Sequence, residues 1–329
     1  MDVFIANETA LEYWRQKRRL RKNYTYRPCK RILPCESPRS FDLRHEETWG
    51  LTLPLDIMVG SPSSRRPSKA ICSHVCSKPL VGGSFINAGN DLYVSSPEFC
   101  FLQMACEYPI AKLIALGIEI CGSYSLPSNT YSCEENGVSA QALYDLPKLT
   151  NKKKLKAFTS RMEGWAGKKQ ALKALNYIAE ESASPMETIL FILLTLPYRF
   201  GGYGLPMPEF NGCIYPKKGV SQFEGRSFYR GDLLWREAGV VVEYNSDMKH
   251  SDQYSMTKDA IRRNDMALCG FFEVTVTSRQ INNTELFDKV AKQIAKRIGK
   301  ELRYKEPGFS KARRELRSVL FQKFTKNFY

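Results

Sequence analysis

Two acidic residues on neighbouring predicted strands are the part of this chain whose types and spacing could do chemistry. The segment YRGDLLWREAGVVVEYN, residues 229–245, predicts two strands joined by a tight turn that contains a glycine. If the turn is centred between Glu237 and Ala238, Asp232 lies directly opposite Glu243. Opposed side chains of an antiparallel pair share one face of the sheet, with their Cβ atoms about 5 Å apart. The spacing therefore predicts two carboxylates at one place.

Two carboxylates this close repel each other unless a cation lies between them. An all-oxygen ligand set favours Mg²⁺ or Mn²⁺ over zinc. The alternative is that Asp232 and Glu243 are ordinary surface acids. The apolar run Val240-Val241-Val242 before Glu243 argues for an inner strand, where an unpaired charge is expensive. We therefore expect Asp232 and Glu243 to bind a metal ion.

Polar residues near this pair extend the candidate site. Asn245 is two residues beyond Glu243 on the same strand, so it lies on the same face. His250 follows in a polar loop, which is compatible with a general acid or base, with a phosphate contact, or with a plain surface histidine. Asp259 and Arg262 are three residues apart on a predicted helix and are expected to form a structural ion pair that holds the helix against the sheet.

The elements that must position these residues follow the order helix, strand, strand, helix, strand, helix. Ser184 begins the first helix, and Thr284 is expected to cap the last one. Between them the patterns predict strands over 227–235, 240–245 and 271–277, and a helix over 257–269. The predicted fold class is thus mixed, α/β and α+β, with a central mixed sheet in the second half of the chain.

The chain of 329 residues is long enough for two domains. We expect a mixed α+β domain over residues 1–145 and a second domain over residues 184–305. A basic helical connector over 146–183 and a basic tail over 306–329 complete the expected organisation.

The charge of the chain favours a polyanionic partner. It has 49 Lys and Arg against 34 Asp and Glu, which gives a formal net charge of +15. Basic residues cluster in 15–31, 148–175 and 279–329. Such clusters are compatible with solvated helix faces, and also with an extended phosphate-binding surface, for which DNA is the expected partner.

The sequence indicates a cytoplasmic protein with no membrane partner. Its most apolar run, residues 189–196, is less than half of the roughly 20 residues that a bilayer-spanning helix needs. The first ten residues lack the basic-then-apolar order of a secretory signal. The ten cysteines form no regular framework and are expected to be free thiols. Cys72, His74 and Cys76 offer three soft ligands, but without a second such pair we expect no zinc site there.

The second half resembles the very-short-patch-repair-like (DUF559-type) branch of the PD-(D/E)XK restriction-endonuclease superfamily, over roughly residues 184–303. The residues that carry the resemblance are Asp232, Glu243, Tyr244, Asn245, His250, Asp259, Arg262, Arg263, Leu268, Gly270, Phe271 and Val274. The first 126 residues, with ETALEYWR, LDIMV and SSPEFCFLQMA, are similar to the sensor-like domain of abortive-infection type IV antitoxins (AbiEi-like).

The nuclease resemblance implies Mg²⁺-dependent hydrolysis of phosphodiester bonds in DNA. It assigns the metal to Asp232 and Glu243, and it adds Glu187 of the opening helix as a further ligand or water-orienting acid. Asn245 stands where the family has a lysine, so His250, Lys249 or Lys258 would have to supply the positive charge.

Two functions are compatible with these residues. The first is a metal-dependent endodeoxyribonuclease of a phage-defence or toxin–antitoxin-type system, in which Arg230, Lys249, Lys258 and Arg263 contact DNA. The second is an antitoxin-like DNA-binding regulator that keeps the nuclease fold with little or no cleavage. Either would fit a cognate toxin or another defence protein as partner.

Overall fold

The computed structural model describes residues 2–19, 37, 50–66, 68–127, 142–216, 227–245, 253–304 and 307–321, without the side chains of 253–259. The chain divides into two compact units. The first unit ends at Ile178, and the second begins at Ala179. Helices and two mixed sheets build these units, which confirms the predicted mixed fold class. Within the described ranges, no helix has the length and apolar character needed to cross a membrane.

The first unit is built on a five-stranded sheet with the order β3-β2-β1-β5-β4. β2 runs parallel to β3 and antiparallel to β1, and β3 is an edge strand. The elements are β1 Val3–Ile5, α1 Asn7–Arg19, β2 Leu55–Val59, β3 Ile71–Val75, β4 Phe85–Gly89, β5 Leu92–Ser95, α2 Pro97–Met104, α3 Ile110–Cys121, α4 Lys152–Arg161 and α5 Lys168–Leu175.

The segment expected to be a connector, residues 146–183, contributes α4 and α5 to the first unit. The Phe99 ring of α2 lies 5.8 Å from the Phe158 ring and 5.1 Å from the Trp165 ring, measured between centroids. Leu155 and Phe158 are buried, while Lys153, Lys154 and Lys156 of α4 are exposed. The basic composition indicated a linker, but one apolar face is enough to pack these helices into a core.

The second unit contains a four-stranded sheet with the order β6-β7-β8-β9. The predicted helix–strand–strand–helix–strand–helix order is present, with two additional elements: β6 before the hairpin and the short helix α8 between β9 and α9. The sequence did not predict β6 because it contains Asn211 followed by glycine, a pair typical of a turn. In the structure Asn211 has a positive φ of 50° within the strand. The elements are α6 Pro185–Thr195, β6 Glu209–Ile214, β7 Tyr229–Trp235, β8 Val240–Asn245, α7 Gln253–Leu268, β9 Phe272–Thr277, α8 Ser278–Asn282, α9 Thr284–Ile298 and α10 Phe309–Phe321.

The register of the β7–β8 hairpin agrees with the one inferred from the turn. Leu233 pairs with Val242, and Trp235 pairs with Val240. Both pairs are centred between Glu237 and Ala238, as predicted. β8 is an inner strand, antiparallel to β7 and parallel to β9. Its residues Val240 to Val242 are fully buried. α6 packs against β7 and β8, while α7 packs against β9.

The end of the chain is not simply a tail, as expected for residues 306–329, because α10 belongs to the second unit. Its side chains Phe309, Leu316 and Leu320 are buried. The Phe309 ring lies 5.4 Å from that of Tyr198. The basic residues of α10 concealed an apolar stripe at helical spacing. A smaller correction concerns α9, whose N-cap is Asn283 rather than Thr284.

We expect Gly239→Ala to destabilise the second unit more than Gly299→Ala. Both glycines have a positive φ, 60° and 75°, so each alanine carries a backbone penalty of about 1 kcal/mol. At Gly239 a Cβ would also lie 2.5 Å from the Gly270 carbonyl oxygen, whereas at Gly299 it meets no atom within 4 Å. The thermal unfolding midpoints of the two variants measure this difference. Equal midpoints would show that the turn between β7 and β8 tolerates the displaced backbone.

Candidate metal centre

Asp232 of β7 and Glu243 of β8 meet where the two strands continue beyond their backbone ladder. The Asp232 N–H donates to Glu243 Oε1 at 3.2 Å, and the Tyr244 N–H donates to Asp232 Oδ2 at 2.7 Å. Each carboxylate therefore accepts a hydrogen bond from the backbone of the opposite strand. Both side chains are only partly buried, so solvent reaches them. The structure brings together the two acids that the hairpin register predicted.

Gly231, which sequence analysis did not single out, makes room for this pair. A Cβ at Gly231 would lie 2.2 Å from Val241 Cγ2 and 3.3 Å from Glu243 Oε1. The first distance is shorter than real Cβ contacts allow, so any larger residue would displace the neighbouring strand. A glycine directly before a candidate acid in a strand was the available signal, because glycine there marks a close approach.

Protonation of the pair reflects its crowding. Burial, followed by the charge of Glu187, raises the pKa of Asp232 to about 7. Burial, followed by the charge of Asp232, raises the pKa of Glu243 well above its ordinary value. The Arg262 charge acts in the opposite direction on both carboxyls, but it does not offset the other causes. Near neutral pH the pair therefore retains a proton that a bound cation would replace.

Glu187 lies in the first turn of α6, close enough for its charge to act on Asp232. Its carboxylate oxygen Oε2 accepts from the Ala183 N–H and from the Asn211 side-chain amide, each at 2.9 Å. Burial raises the pKa of Glu187, although these hydrogen bonds oppose the shift. The side chain thus stabilises the start of α6 and the β6 strand while facing the acid pair.

Glu273 of β9 is a further acid at this centre that sequence analysis missed. It pairs with Val241 in the β8–β9 register, so its side chain is on the same side of the sheet as Glu243. The side chain is 3% exposed, and Oε2 has no hydrogen-bond partner within the described residues. The alternating pattern FFEVTVT predicted the strand correctly, and an acid at one of its inner positions was the overlooked signal.

Arg262 of α7 forms an ion pair with Glu273 of β9, a residue outside its own helix. Its Nη2 lies 2.9 Å from Glu273 Oε1, and its guanidinium lies 5.3 Å from the centre of the Tyr229 ring. Arg263 Nε lies 3.8 Å from the same Glu273 oxygen, and its side chain is 56% exposed. Arg262 thus connects α7 to β9 through Glu273. The side chain of Asp259, its expected partner, lies outside the described residues.

The remaining predicted site residues are only partly placed. Asn245 is exposed at the end of β8, beside Thr277 of β9. Arg230 is exposed on β7, and its charge partly opposes the rise in the pKa of Glu187 that burial causes. Lys258 is in α7, with its side chain outside the described residues, and Lys249 and His250 lie outside them altogether.

The donor set fits a hard divalent cation. Asp232, Glu243 and Glu187 offer oxygen ligands only, and the positive charges of Arg262 and Arg230 act on them. The ligand atoms of these three acids are not all within 4.8 Å of one another. In the part of the chain that the structure describes, three potential ligands meet that spacing only at Asp56, Cys72 and His74. The centre in the second unit is thus a contacting acid pair with a third acid beside it.

Comparison with known proteins adds nothing to this geometry. No protein family, no curated protein and no solved structure matches the chain.

We expect Asp232→Asn to raise the stability of the second unit at pH 8 and to have a smaller effect at pH 5. The folded state holds a proton up to about pH 7, whereas a carboxyl in the unfolded chain loses it near pH 4. Wild-type stability therefore falls as pH rises between these values, and the amide removes that dependence, with a gain on the order of 1–3 kcal/mol at pH 8.

Thermal unfolding at the two pH values measures this effect. Glu237→Gln, on the exposed turn of the same hairpin, is the control and should leave the pH dependence unchanged. If Asp232→Asn destabilises the protein equally at both pH values, Asp232 is an ordinary ionised acid and the crowding described above is wrong.

Proposed function

We propose that the second unit binds Mg²⁺ or Mn²⁺ at Asp232 and Glu243 and hydrolyses phosphodiester bonds of DNA. The observation that carries the proposal is the contact between these two acids. Their backbone hydrogen bonds keep them together although the charge of Asp232 disfavours ionisation of Glu243 and the charge of Glu187 disfavours ionisation of Asp232. A protein gains nothing in stability from such a pair, so its presence favours a role in binding a cation.

The residues of the chain have distinct parts in this reaction. A bound divalent ion supplies an acidified water and neutralises charge on the phosphate. Asp232 and Glu243 hold the ion, and the Tyr244 and Asp232 N–H groups keep one oxygen of each carboxylate fixed. Glu187, whose charge acts on Asp232 and whose pKa is raised by burial, would accept the proton that the attacking water loses.

DNA as the substrate is supported by charge. The chain carries a net charge of +15, and Arg230 and Arg263 expose their side chains near the acids. Contacts of this kind neutralise backbone phosphates and make affinity decrease as salt increases. A role in phage defence or in a toxin–antitoxin-type system, with a cognate protein partner, remains part of the proposal on the resemblance alone.

One observation favours the second candidate function, a DNA-binding regulator without cleavage. Asn245 occupies the position of the lysine in the nuclease pattern, and its neutral, exposed amide brings no positive charge to the reacting phosphate. Both functions predict the same fold and salt-sensitive binding of DNA, so cleavage is the measurement that distinguishes them.

We expect purified protein to nick plasmid DNA in Mg²⁺ or Mn²⁺, and we expect Asp232→Asn and Glu243→Gln to reduce the rate at least about 100-fold. Each amide keeps the size of its side chain but removes a charged metal ligand. Glu237→Gln, prepared in parallel, should keep the wild-type rate. Gel quantification of supercoiled, nicked and linear plasmid measures the rates.

The pattern of rates decides between the two functions. Equal cleavage by all preparations identifies a contaminating nuclease and removes the support for hydrolysis. Binding of DNA without cleavage by the wild type in either metal favours the regulator.

We further expect Asn245→Lys to increase the cleavage rate on the order of tenfold, because it returns a positive charge to the exposed end of β8 beside the acid pair. Glu237→Lys adds a lysine to the same hairpin away from the acids and serves as the control. An equal increase in both variants would mean that the added charge acts through general DNA affinity. A repeat of the assay at higher salt separates that effect from catalysis.

A further inference from the structure

A second group of potential metal ligands lies in the first unit, away from the acids discussed above in sequence and in chemistry. Asp56 of β2 pairs with Cys72 of β3 in the parallel register, and His74 follows two residues later on the same face of the sheet. One ligand atom from each of these three side chains lies within 4.8 Å of the other two. Sequence analysis considered Cys72, His74 and Cys76. The structure replaces Cys76, which is buried with its thiol directed to the Lys78 carbonyl, by Asp56.

The carboxylate of Asp56 is oriented towards this group by the start of α1. The Thr9 N–H and the Thr9 hydroxyl each lie 3.3 Å from Asp56 Oδ2. The Thr9 hydroxyl in turn accepts from the Asp56 N–H at 2.8 Å. With Oδ2 occupied in this way, Oδ1 is directed to His74 Nε2, 2.7 Å away. Hydrogen bonds of this kind around a ligand fix its direction before a metal arrives.

We propose that Asp56, Cys72 and His74 bind one Zn²⁺ ion in the first unit. Zinc prefers sulfur, nitrogen and carboxylate ligands in tetrahedral geometry, and these three residues supply one of each. β3 is the edge strand of its sheet, and Cys72 is exposed while the other two side chains are partly buried. The fourth position therefore faces solvent, where water or an anionic ligand completes the coordination, as in zinc sites with three protein ligands.

Binding requires a small adjustment of the side chains. Two ligands of one tetrahedral Zn²⁺ ion, each about 2.0–2.1 Å from the metal, lie about 3.3 Å apart. His74 Nε2 and Asp56 Oδ1 are 2.7 Å apart and share a hydrogen bond, so the ion must replace the proton between them and separate the atoms by about half an ångström. Cys72 and His74 are on an edge strand without a further strand beside it in the described sheet, and they have room for this shift.

The same residue types could instead form a Cys–His–Asp nucleophile, and the contacts argue against it. In such a triad the histidine lies between the thiol and the carboxylate. Here the carboxylate of Asp56 is hydrogen-bonded by both Cys72 and His74, so the acid is in the middle. This arrangement converges on one point, as a metal site does, and the hydrogen bond of the thiol goes to the carboxylate rather than to the imidazole.

Cobalt substitution of the full-length protein tests the proposal. We expect reduced protein to bind about one equivalent of Zn²⁺ and, with Co²⁺ in its place, to show a thiolate-to-cobalt charge-transfer band together with visible bands of tetrahedral cobalt. Cys72→Ser should abolish the charge-transfer band and weaken Zn²⁺ binding on the order of 100-fold, since it removes one of three protein ligands. His74→Gln should shift the visible bands and weaken binding to a similar degree.

Three controls make the outcome decisive. Cys106→Ser removes another exposed thiol and should leave the cobalt spectrum unchanged. Asp232→Asn should leave the charge-transfer band unchanged, because the acids of the second unit include no thiolate, and this separates the two sites. Circular dichroism should show that Cys72→Ser, a change at an exposed position, keeps the wild-type fold. The proposal is overturned if Cys72→Ser retains the band, if Cys106→Ser loses as much, or if the wild type binds no Zn²⁺.

Discussion

Repulsion between the carboxylates of Asp232 and Glu243 is the interaction that most constrains the second unit. Asp232 and Glu243 accept hydrogen bonds from each other's strands, and both have a raised pKa because burial and the neighbouring charge disfavour ionisation. The sheet supplies the rigidity that keeps them together, since β8 is fully buried before Glu243. A divalent cation would turn the same crowding into a favourable interaction. The proposed hydrolytic role follows from this conflict between stability and placement.

Arginine side chains of α7 and β7 limit the repulsion without cancelling it. Arg262 of α7 contacts Glu273 and acts on both acids of the pair, so the helix is attached to the sheet by the same charge that moderates the centre. On the other side Arg230 moderates Glu187. Full neutralisation by arginine would leave no reason for a metal ion to bind.

The sequence predicted the hairpin and its register because the turn has one plausible centre and the valine run admits one inner strand. It also predicted the start of α6 at Ser184, where a side-chain acceptor is followed directly by proline. It could not reveal Glu273, because an acid in a strand has no partner in the sequence until the helix that carries Arg262 is placed. The sequence likewise predicted a helical connector where α4 and α5 lie and a tail where α10 lies. The basic residues of these helices outnumber the few apolar ones that pack into a core. Asp56 joined Cys72 and His74 only through pairing between distant strands.

The side chain of Asn211 connects β6 to the start of α6, two elements that are separated in the sequence. It reaches from β6, an edge strand of the described sheet, to the carbonyl of Glu181 and the carboxylate of Glu187. The orientation of Glu187 therefore depends in part on β6, which has no further strand beside it among the described residues. A change in the position of β6 would move the third acid without breaking the hydrogen bonds that join Asp232 and Glu243, because those come from β7 and β8 alone.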